Sequence, residues 1–230
     1  MIKTEKIERI EKPLGGIPEP TLRRLPKYIE LLTRLKATNM KFVSSNYVAE
    51  KLNLDPIQVR KDLAISGTIG KPKLGFDLDD LLAALNHTLN WDNLHDAFLI
   101  GVGSLGSALL GYKNFSSYGL NIVAGFDSDQ RKVGKVVNGI KVLPVSKLEN
   151  MIKRMKINIA ILTVPSEDAQ EIAEEMVEAG ILAIWNFAPT HLKLPKDVIV
   201  ENAQLTQSLG VLTHKLAEKT KKEKMIIHNN

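Results

Sequence analysis

The sequence predicts an α/β chain in two parts: a small basic helical domain closed by a glycine-rich hairpin, then a doubly wound parallel sheet followed by a last helix. Three observations point there. Apolar residues recur at spacings of three and four through most of residues 22–89. From Ala97 onward, short apolar runs alternate with helical stretches, the pattern of a parallel sheet with crossover helices. Charge divides along the same line: eleven Lys/Arg stand against four Asp/Glu between Pro20 and Phe76, while the rest of the chain sums to −2.

The 230 residues suffice for one large or two modest domains with real cores. At 44% hydrophobic and 25% charged, the composition is that of an ordinary globular protein. There is no cysteine, which excludes disulfides, thiolate nucleophiles and Cys-ligated zinc or iron–sulfur clusters; no metal site is expected. The first residues are charged and lack the apolar core of a signal peptide. The longest uncharged run, Ala97 to Tyr112, is 16 residues with four glycines. A membrane span needs about 20, so a cytoplasmic protein without a membrane partner is expected.

Residues 1–19 alternate Lys and Glu and end in glycines and prolines, which reads as a flexible arm. A first domain is expected over residues 20–90. Leu22, Leu25, Ile29, Leu32 and Leu35 mark one face of a helix that starts no earlier than about Arg23, because Pro26 is tolerated only in a first turn. Ser44 or Ser45 caps a second helix that buries Val48 and Leu52. Asp55 caps a third, with Pro56 at its first position; Val59 and Leu63 face inward, Gln58 and Lys61 outward, and Arg60 lies on the flank. Gly67 to Phe76, with three glycines, a proline, Lys71 and Lys73, forms a cationic hairpin. A final helix opens at Asp77 and buries Leu78, Leu81, Leu82, Leu85 and Leu89.

Three short helices, a basic hairpin and a helix make a winged helix-turn-helix. The region from Tyr28 to Ser66, with Ser44, Ser45, Gln58, Arg60, Lys61 and the hairpin's Lys71 and Lys73, is the candidate surface for double-stranded DNA. Arg and Lys reach guanine or phosphate, and Gln pairs with adenine in a major groove. A helical protein–protein module with solvated charges is the alternative.

The second domain is expected over residues 91–201. Ala97–Ile100 reads as a buried strand, followed by the loop Gly101-Val-Gly103-Ser-Leu-Gly106 and a helical run to Tyr112. A glycine loop between strand and helix cradles a diphosphate on the helix N-terminus. A second strand, Asn121–Phe126, ends in Asp127, 21 residues after Gly106, where an acid hydrogen-bonds the adenosine ribose hydroxyls. A carboxylate there favours NAD(H) over NADP(H), a preference that Arg131 and Lys132 soften. Further strands at residues 158–164, 183–187 and 198–200 alternate with helices at 146–156 and 167–179. The domain is thus Rossmann-like. Its candidate cofactor residues are Gly101, Val102, Gly103, Ser104, Leu105, Gly106, Asp127, Ser128 and Lys132, with Thr163, Val164, Pro165, Asn186, Phe187 and Pro189 at later strand ends. Residues 202–219 form an apolar-striped helix (Leu205, Leu209, Leu212, Leu216) and 220–230 a lysine-rich tail. The stripe must pack on its own sheet or on another subunit, which points to a dimer.

An enzyme using this cofactor needs a general acid/base beside the nicotinamide. Among five histidines only His191 falls near that end, and no substrate domain remains. No catalytic residue is assigned. An NAD-dependent oxidoreductase relying on His191 or Tyr112 stays open as an alternative.

From Arg23 to Lys219 the chain resembles the Rex family of redox-sensing repressors. The resemblance rests on Arg24-Leu-Pro26-Lys-Tyr28, Val43-Ser-Ser45, Val59-Arg-Lys-Asp-Leu63, Gly101-Val-Gly-Ser-Leu-Gly106, Phe126-Asp127, Leu162-Thr-Val-Pro165, Asn186-Phe-Ala-Pro189 and Val200-Glu-Asn202. It implies a homodimer on a palindromic operator, a C-terminal helix swapped onto the partner, and DNA release when NADH closes the dimer. By position it implies that Tyr112 lies near the nicotinamide and Arg24 at the interface between domains. Gln204-Leu205 stands where the family tends to carry an Asp-aromatic pair, so the expected switch set is Arg24, Tyr112 and Gln204. The third helix ends in Ala64-Ile65-Ser66-Gly67 rather than the family's Ser-Tyr-Phe-Gly, and Phe76 replaces its wing tyrosine. A paralog with altered DNA specificity or without the redox switch is a further alternative.

Overall fold

The computed structural model describes residues 16–203 and 205–228. The expected arm up to residue 15 and Gln204 lie outside the described residues. The chain forms two compact units divided between Asn93 and Leu94.

The first unit opens with α1 (Glu19–Leu22), a single turn absent from the sequence reading, and continues into α2 (Leu25–Lys36) with Pro26 in its first turn. A two-residue strand, β1 (Phe42–Val43), precedes α3 (Ser45–Leu52) and α4 (Pro56–Ile65). Ser44 caps α3 by accepting from the Tyr47 N–H, and Asp55 caps α4 by accepting from the Gln58 N–H. A second short strand, β2 (Phe76–Asp77), pairs antiparallel with β1 and leads into α5 (Leu78–Thr88), capped by Asp77. The wing between α4 and β2 is tighter than a two-stranded hairpin: a single antiparallel bridge, Lys71 to Gly75, closes it. Leu25, Leu32, Val48, Val59, Leu63, Leu81 and Leu85 are fully buried together, so every helix from α2 to α5 anchors in one core.

The second unit is a seven-stranded sheet. Its strands are β3 (His95–Ile100), β4 (Leu120–Asp127), β5 (Val136–Val137), β6 (Ile140–Pro144), β7 (Ile159–Leu162), β8 (Ala183–Asn186) and β9 (Ile199–Asn202). They lie in the order β5-β6-β4-β3-β7-β8-β9. All pair in parallel except β5, which turns back on β6 as a hairpin. Numbering only the six parallel strands gives the order 3-2-1-4-5-6 of the dinucleotide-binding fold, with the order reversing at β3 and β7. The β5–β6 hairpin is absent from the sequence reading; Asn138 and Gly139, both at positive φ, make its two-residue turn.

The helices of this unit are α6 (Ser104–Leu110), α7 (Leu148–Met155) and α8 (Ser166–Ala179), the last stopped by Gly180 at φ +117°. Phe98 and Phe126 pack 4.9 Å apart, ring centre to ring centre, in the main core, with Ile152, Ala173 and Met176 from the helices also buried there. The last helix, α9 (Leu205–His228), continues past Lys219 into the segment read as a tail, and Asn202, where it was expected to begin, ends β9. Its Leu209, Leu212 and Leu216 are exposed.

Candidate nucleotide cleft and recognition helix

Where the strand order reverses, the carboxyl ends of β3, β4 and β7 open onto a cleft of about 740 Å³. Such clefts of ~300–1,000 Å³ are the size that holds a cofactor. The three glycines of its loop have separate duties. Gly101 sits at φ +95°, and a Cβ there would lie 2.7 Å from the Thr163 carbonyl oxygen. At Gly106 a Cβ would lie 2.0 Å from the Gly101 carbonyl oxygen, so only glycine lets α6 start this close to the strand. Gly103 meets no protein atom within 4 Å at its Cβ position and is exposed. The space beside Gly103 is therefore open to a ligand, which fits a diphosphate against the backbone.

Of the expected cofactor residues, Gly101, Gly103, Leu105, Asp127, Ser128, Lys132, Thr163, Val164, Pro165 and Phe187 line this cleft together. Val102 and Gly106 are buried beneath the loop, and Ser104 is exposed at the start of α6. Thr163 fastens the β7 end to the loop, its hydroxyl donating to the Gly101 carbonyl at 2.7 Å. Asn186 does not face the cleft. It is buried and shapes the loop after β8, its amide donating to the Thr190 carbonyl and to Asn202 and its Oδ1 accepting from the Ala188 N–H. Pro189 and His191 line a second cavity of about 380 Å³ that shares Phe187 with the first.

Asp127 departs from the expected picture of an acid open to ribose. Its side chain is only 8% exposed. Oδ2 accepts from the Val102 N–H at 2.8 Å and from Lys132 Nζ at 2.9 Å, while Oδ1 accepts from the Asp129 N–H at 2.8 Å. A carboxylate has about four acceptor positions; three are taken by the protein and one is left open. Arg131 pairs instead with Asp129, and its hydrogen bonds lower the Asp129 carboxyl to about 2.

Two features of the cleft were missed in the sequence. Asp168, Glu171 and Glu175, at helical spacing on α8, line its wall. Tyr112, half exposed, stacks edge-on to Phe115 (ring centres 4.8 Å apart), Phe115 to Trp185 (5.7 Å), and Trp185 lies 4.8 Å from Phe187. An unbroken run of four rings thus links Tyr112 to the cleft.

In the first unit, Gln58, Arg60 and Lys61 of α4 are exposed, as are Lys71 and Lys73 of the wing. Lys71 Nζ lies 5.2 Å from the centre of the Phe42 ring, a cation–π contact that steadies the wing base. Ser44 is exposed, its Oγ accepting the α3 cap bond, and Ser45 is buried. Arg24 has a partner inside its own unit. It grips Asp62 of α4 at two points, Nε to Oδ2 at 2.7 Å and Nη2 to Oδ1 at 2.9 Å. The hydroxyls of Tyr28 and Thr21 donate to the same carboxylate at 2.7 and 3.0 Å. In the sequence Asp62 stands only within the Val59-Arg-Lys-Asp-Leu63 motif, and a charge beside Val59 and Leu63 on a helix face is the signal that points to it.

No group of metal-ligating side chains and no helix long and apolar enough to cross a membrane occurs among the described residues. Residues 16–64 match the family model described as "Putative DNA-binding protein N-terminus", and residues 92–190 match "CoA binding domain". The chain is 46% identical over 193 residues to a redox-sensing transcriptional repressor Rex of Treponema denticola, covering 84% of this chain and 92% of the relative. A Rex of Bacteroides thetaiotaomicron is 40% identical over 219 residues, 94% and 97% of the two chains. The crystal structure of RSP, a Rex-family repressor, in complex with β-NAD+ and operator DNA superposes with a TM-score of 0.84 at 36% identity, covering 91% of this chain and 97% of that one. The same repressor with β-NADH gives 0.82 at 35%, covering 91% and 98%. With this identity sustained over nearly the full length of both units, the chain belongs to the Rex family of redox-sensing transcriptional repressors.

Proposed function

We propose that this protein is an NADH-responsive repressor that binds a palindromic operator as a homodimer and leaves it when NADH binds. The observation that carries the reading is the union, in one chain, of a glycine-loop cleft at a sheet switch point with a winged helix whose outward face is polar and basic. Lys61 and Arg60 suit guanine or phosphate, Gln58 suits adenine, and Lys71 and Lys73 suit phosphates beside the groove. Two copies related by a two-fold axis would read the halves of a palindrome. The exposed apolar stripe of α9 supports a second copy as its cover. The protein would work in the cytoplasm, where it meets both DNA and the nicotinamide pool.

In the cleft, the open backbone at Gly103 would hold the diphosphate, Asp127 and Lys132 the adenosine end, and Thr163, Pro165 and Phe187 the nicotinamide half. The nicotinamide ring supplies the signal, being cationic when oxidised and neutral when reduced. The protein's task is to bind the two forms unequally in its DNA-competent and DNA-incompetent states. Driving the population from 1:99 to 99:1 takes about 5.5 kcal/mol of differential binding. Tyr112, at the far end of the ring run, and Gln204 are the residues proposed to couple the cleft to the dimer. Arg24 enters that coupling only through Nη1, because Asp62 holds Nε and Nη2.

The test is a mobility shift on a palindromic duplex selected by the protein from a randomised inverted-repeat pool. DNA affinity is expected to fall when NADH is added and to persist with NAD+. Unchanged affinity in NADH would remove the redox response, and equal affinity for unrelated duplexes would remove operator reading.

A further inference from the structure

We propose that Asp62 is the positioning residue of the recognition helix, setting the rotation of α4 so that Gln58, Arg60 and Lys61 meet base edges in register. This rests on the reading that α4 enters the major groove. The apolar anchoring of α4 is thin: of its ten residues only Val59, Asp62 and Leu63 are buried. Two apolar side chains attract the helix to the core but carry little directional information. Asp62 carries it. Its carboxylate, 4% exposed, receives four hydrogen bonds, one from Thr21 in α1, two from Arg24 at the start of α2 and one from Tyr28 inside α2. These donors approach from two helices and hold both oxygens, so the carboxylate cannot turn or slide without breaking one. Arg24 Nη2 also donates to the Thr21 hydroxyl at 3.1 Å, which locks the donors to each other.

The magnitude of the lever decides its importance. A rotation of about 20° moves a side-chain atom some 5–6 Å from the helix axis by about 2 Å. That is more than a hydrogen bond to a base edge tolerates. Burial pushes the Asp62 carboxyl up, yet the hydrogen bonds from Arg24, Tyr28 and Thr21 outweigh it and hold the carboxyl below its usual range. The group is therefore ionised and directional at neutral pH. Buried ion pairs are replaced by apolar residues with little loss of stability in many proteins. A pair kept here for its geometry would show its worth in DNA recognition rather than in melting temperature.

The experiment compares full-length wild type with Asp62→Asn, Tyr28→Phe and the apolar double variant Arg24→Met/Asp62→Leu. Each is titrated with the selected palindromic duplex and with an unrelated duplex of equal length at one salt concentration, and its thermal midpoint and NADH affinity are measured. The ratio of the two DNA affinities is expected to fall at least tenfold in Asp62→Asn and in the double variant. Tyr28→Phe, which keeps its ring in the core, is expected to lose severalfold. The double variant leaves the Tyr28 and Thr21 hydroxyls without their acceptor and is expected to melt somewhat below wild type, and NADH affinity is expected to stay unchanged in Asp62→Asn and Tyr28→Phe. A wild-type ratio in the double variant or in Tyr28→Phe overturns the positioning role. If wild type itself shows no preference between the duplexes, the reading of α4 as a recognition helix fails instead.

Discussion

The carboxylate of Asp127 accepts the buried Val102 N–H at 2.8 Å, so the residue that ends β4 holds up the middle of the glycine loop that follows β3. Asp127→Ala leaves that N–H without its partner and releases Lys132. An unsatisfied buried donor costs about 1–3 kcal/mol. The second unit should lose about that much stability, and NADH affinity should fall. Asp127→Asn keeps an oxygen for one of the N–H donors but loses the pairing with Lys132, so it should destabilise less while tolerating a 2′-phosphate better. Calorimetric titrations with NADH and NADPH check both; an Asp127→Ala protein with native affinity and native melting would contradict the tie.

Gly103 and Gly106 separate ligand space from protein space. Gly106→Ala drives a Cβ to 2.0 Å from the Gly101 carbonyl oxygen, and the loop must move. Overpacking of this kind costs about 1–3 kcal/mol, so both melting temperature and NADH binding should drop. Gly103→Ala meets no protein atom. It should melt like wild type and still lose at least tenfold in NADH affinity. Equal effects of the two substitutions would show that the open side of the loop is not where the diphosphate lies.

Acid should loosen the first unit through Asp62. Its folded carboxyl lies below the ordinary value of 3.8. The unfolded chain therefore binds the proton more readily, and the contribution to stability is complete above that value and lost as pH falls through the folded one. At neutral pH Asp62→Asn should cost about 2–4 kcal/mol. The gap between the two proteins should narrow as pH drops below about 4. Thermal unfolding of both across that range measures it; a gap independent of pH would mean that the carboxylate charge contributes nothing.

Much of this architecture is legible locally. The cap at Asp55 stands where the residues announce it, the α3 cap falls on the first of the two candidate serines, and the last helix of the first unit opens at Asp77, because a cap is decided within four residues. The glycine loop is equally local, and so was its siting between strand and helix. What escaped was of two kinds. The Asn138-Gly139 turn carries a hairpin signal, but its flanking strand β5 is two residues long, too short to show a period of two. The Asp62 cluster depends on partners 34 to 41 residues apart, and the Tyr112–Phe187 ring run on the meeting of Phe115 with Trp185, seventy residues apart, which no periodicity reports. Asp127 shows the intermediate case: its position was legible, but its engagement by Val102 follows from the register of β4 beside β3, and that by Lys132 from the loop after β4.

Lys61 and Gln58 should fail in different ways. Lys61 is exposed on the outer face of α4 and would neutralise a phosphate or meet a guanine. If it contacts phosphate, Lys61→Ala should weaken binding to all duplexes alike and reduce the dependence of log affinity on log salt by about 1. Gln58→Ala should leave the salt dependence unchanged and relax selectivity at one base pair, at a cost of about 1–3 kcal/mol. Salt titrations on the selected duplex and on single-base variants of it tell the two apart.

The apolar stripe of α9 tests the assembly. Leu209, Leu212 and Leu216 are 57%, 64% and 59% exposed in the single chain. Burying a leucine fully is worth about 1.5–3 kcal/mol, so three of them covered by a second copy would contribute a large share of a dimer's free energy. Leu212→Glu places a charge in that contact, where it has no partner to offset its desolvation. The variant should sediment as a monomer at concentrations where wild type is dimeric, and its affinity for the full palindrome should fall to that for a single half-site. The cleft is built from β3, β4 and β7 of one chain, so NADH should still bind. A Leu212→Glu protein that stays dimeric would place the dimer contact elsewhere than on this helix.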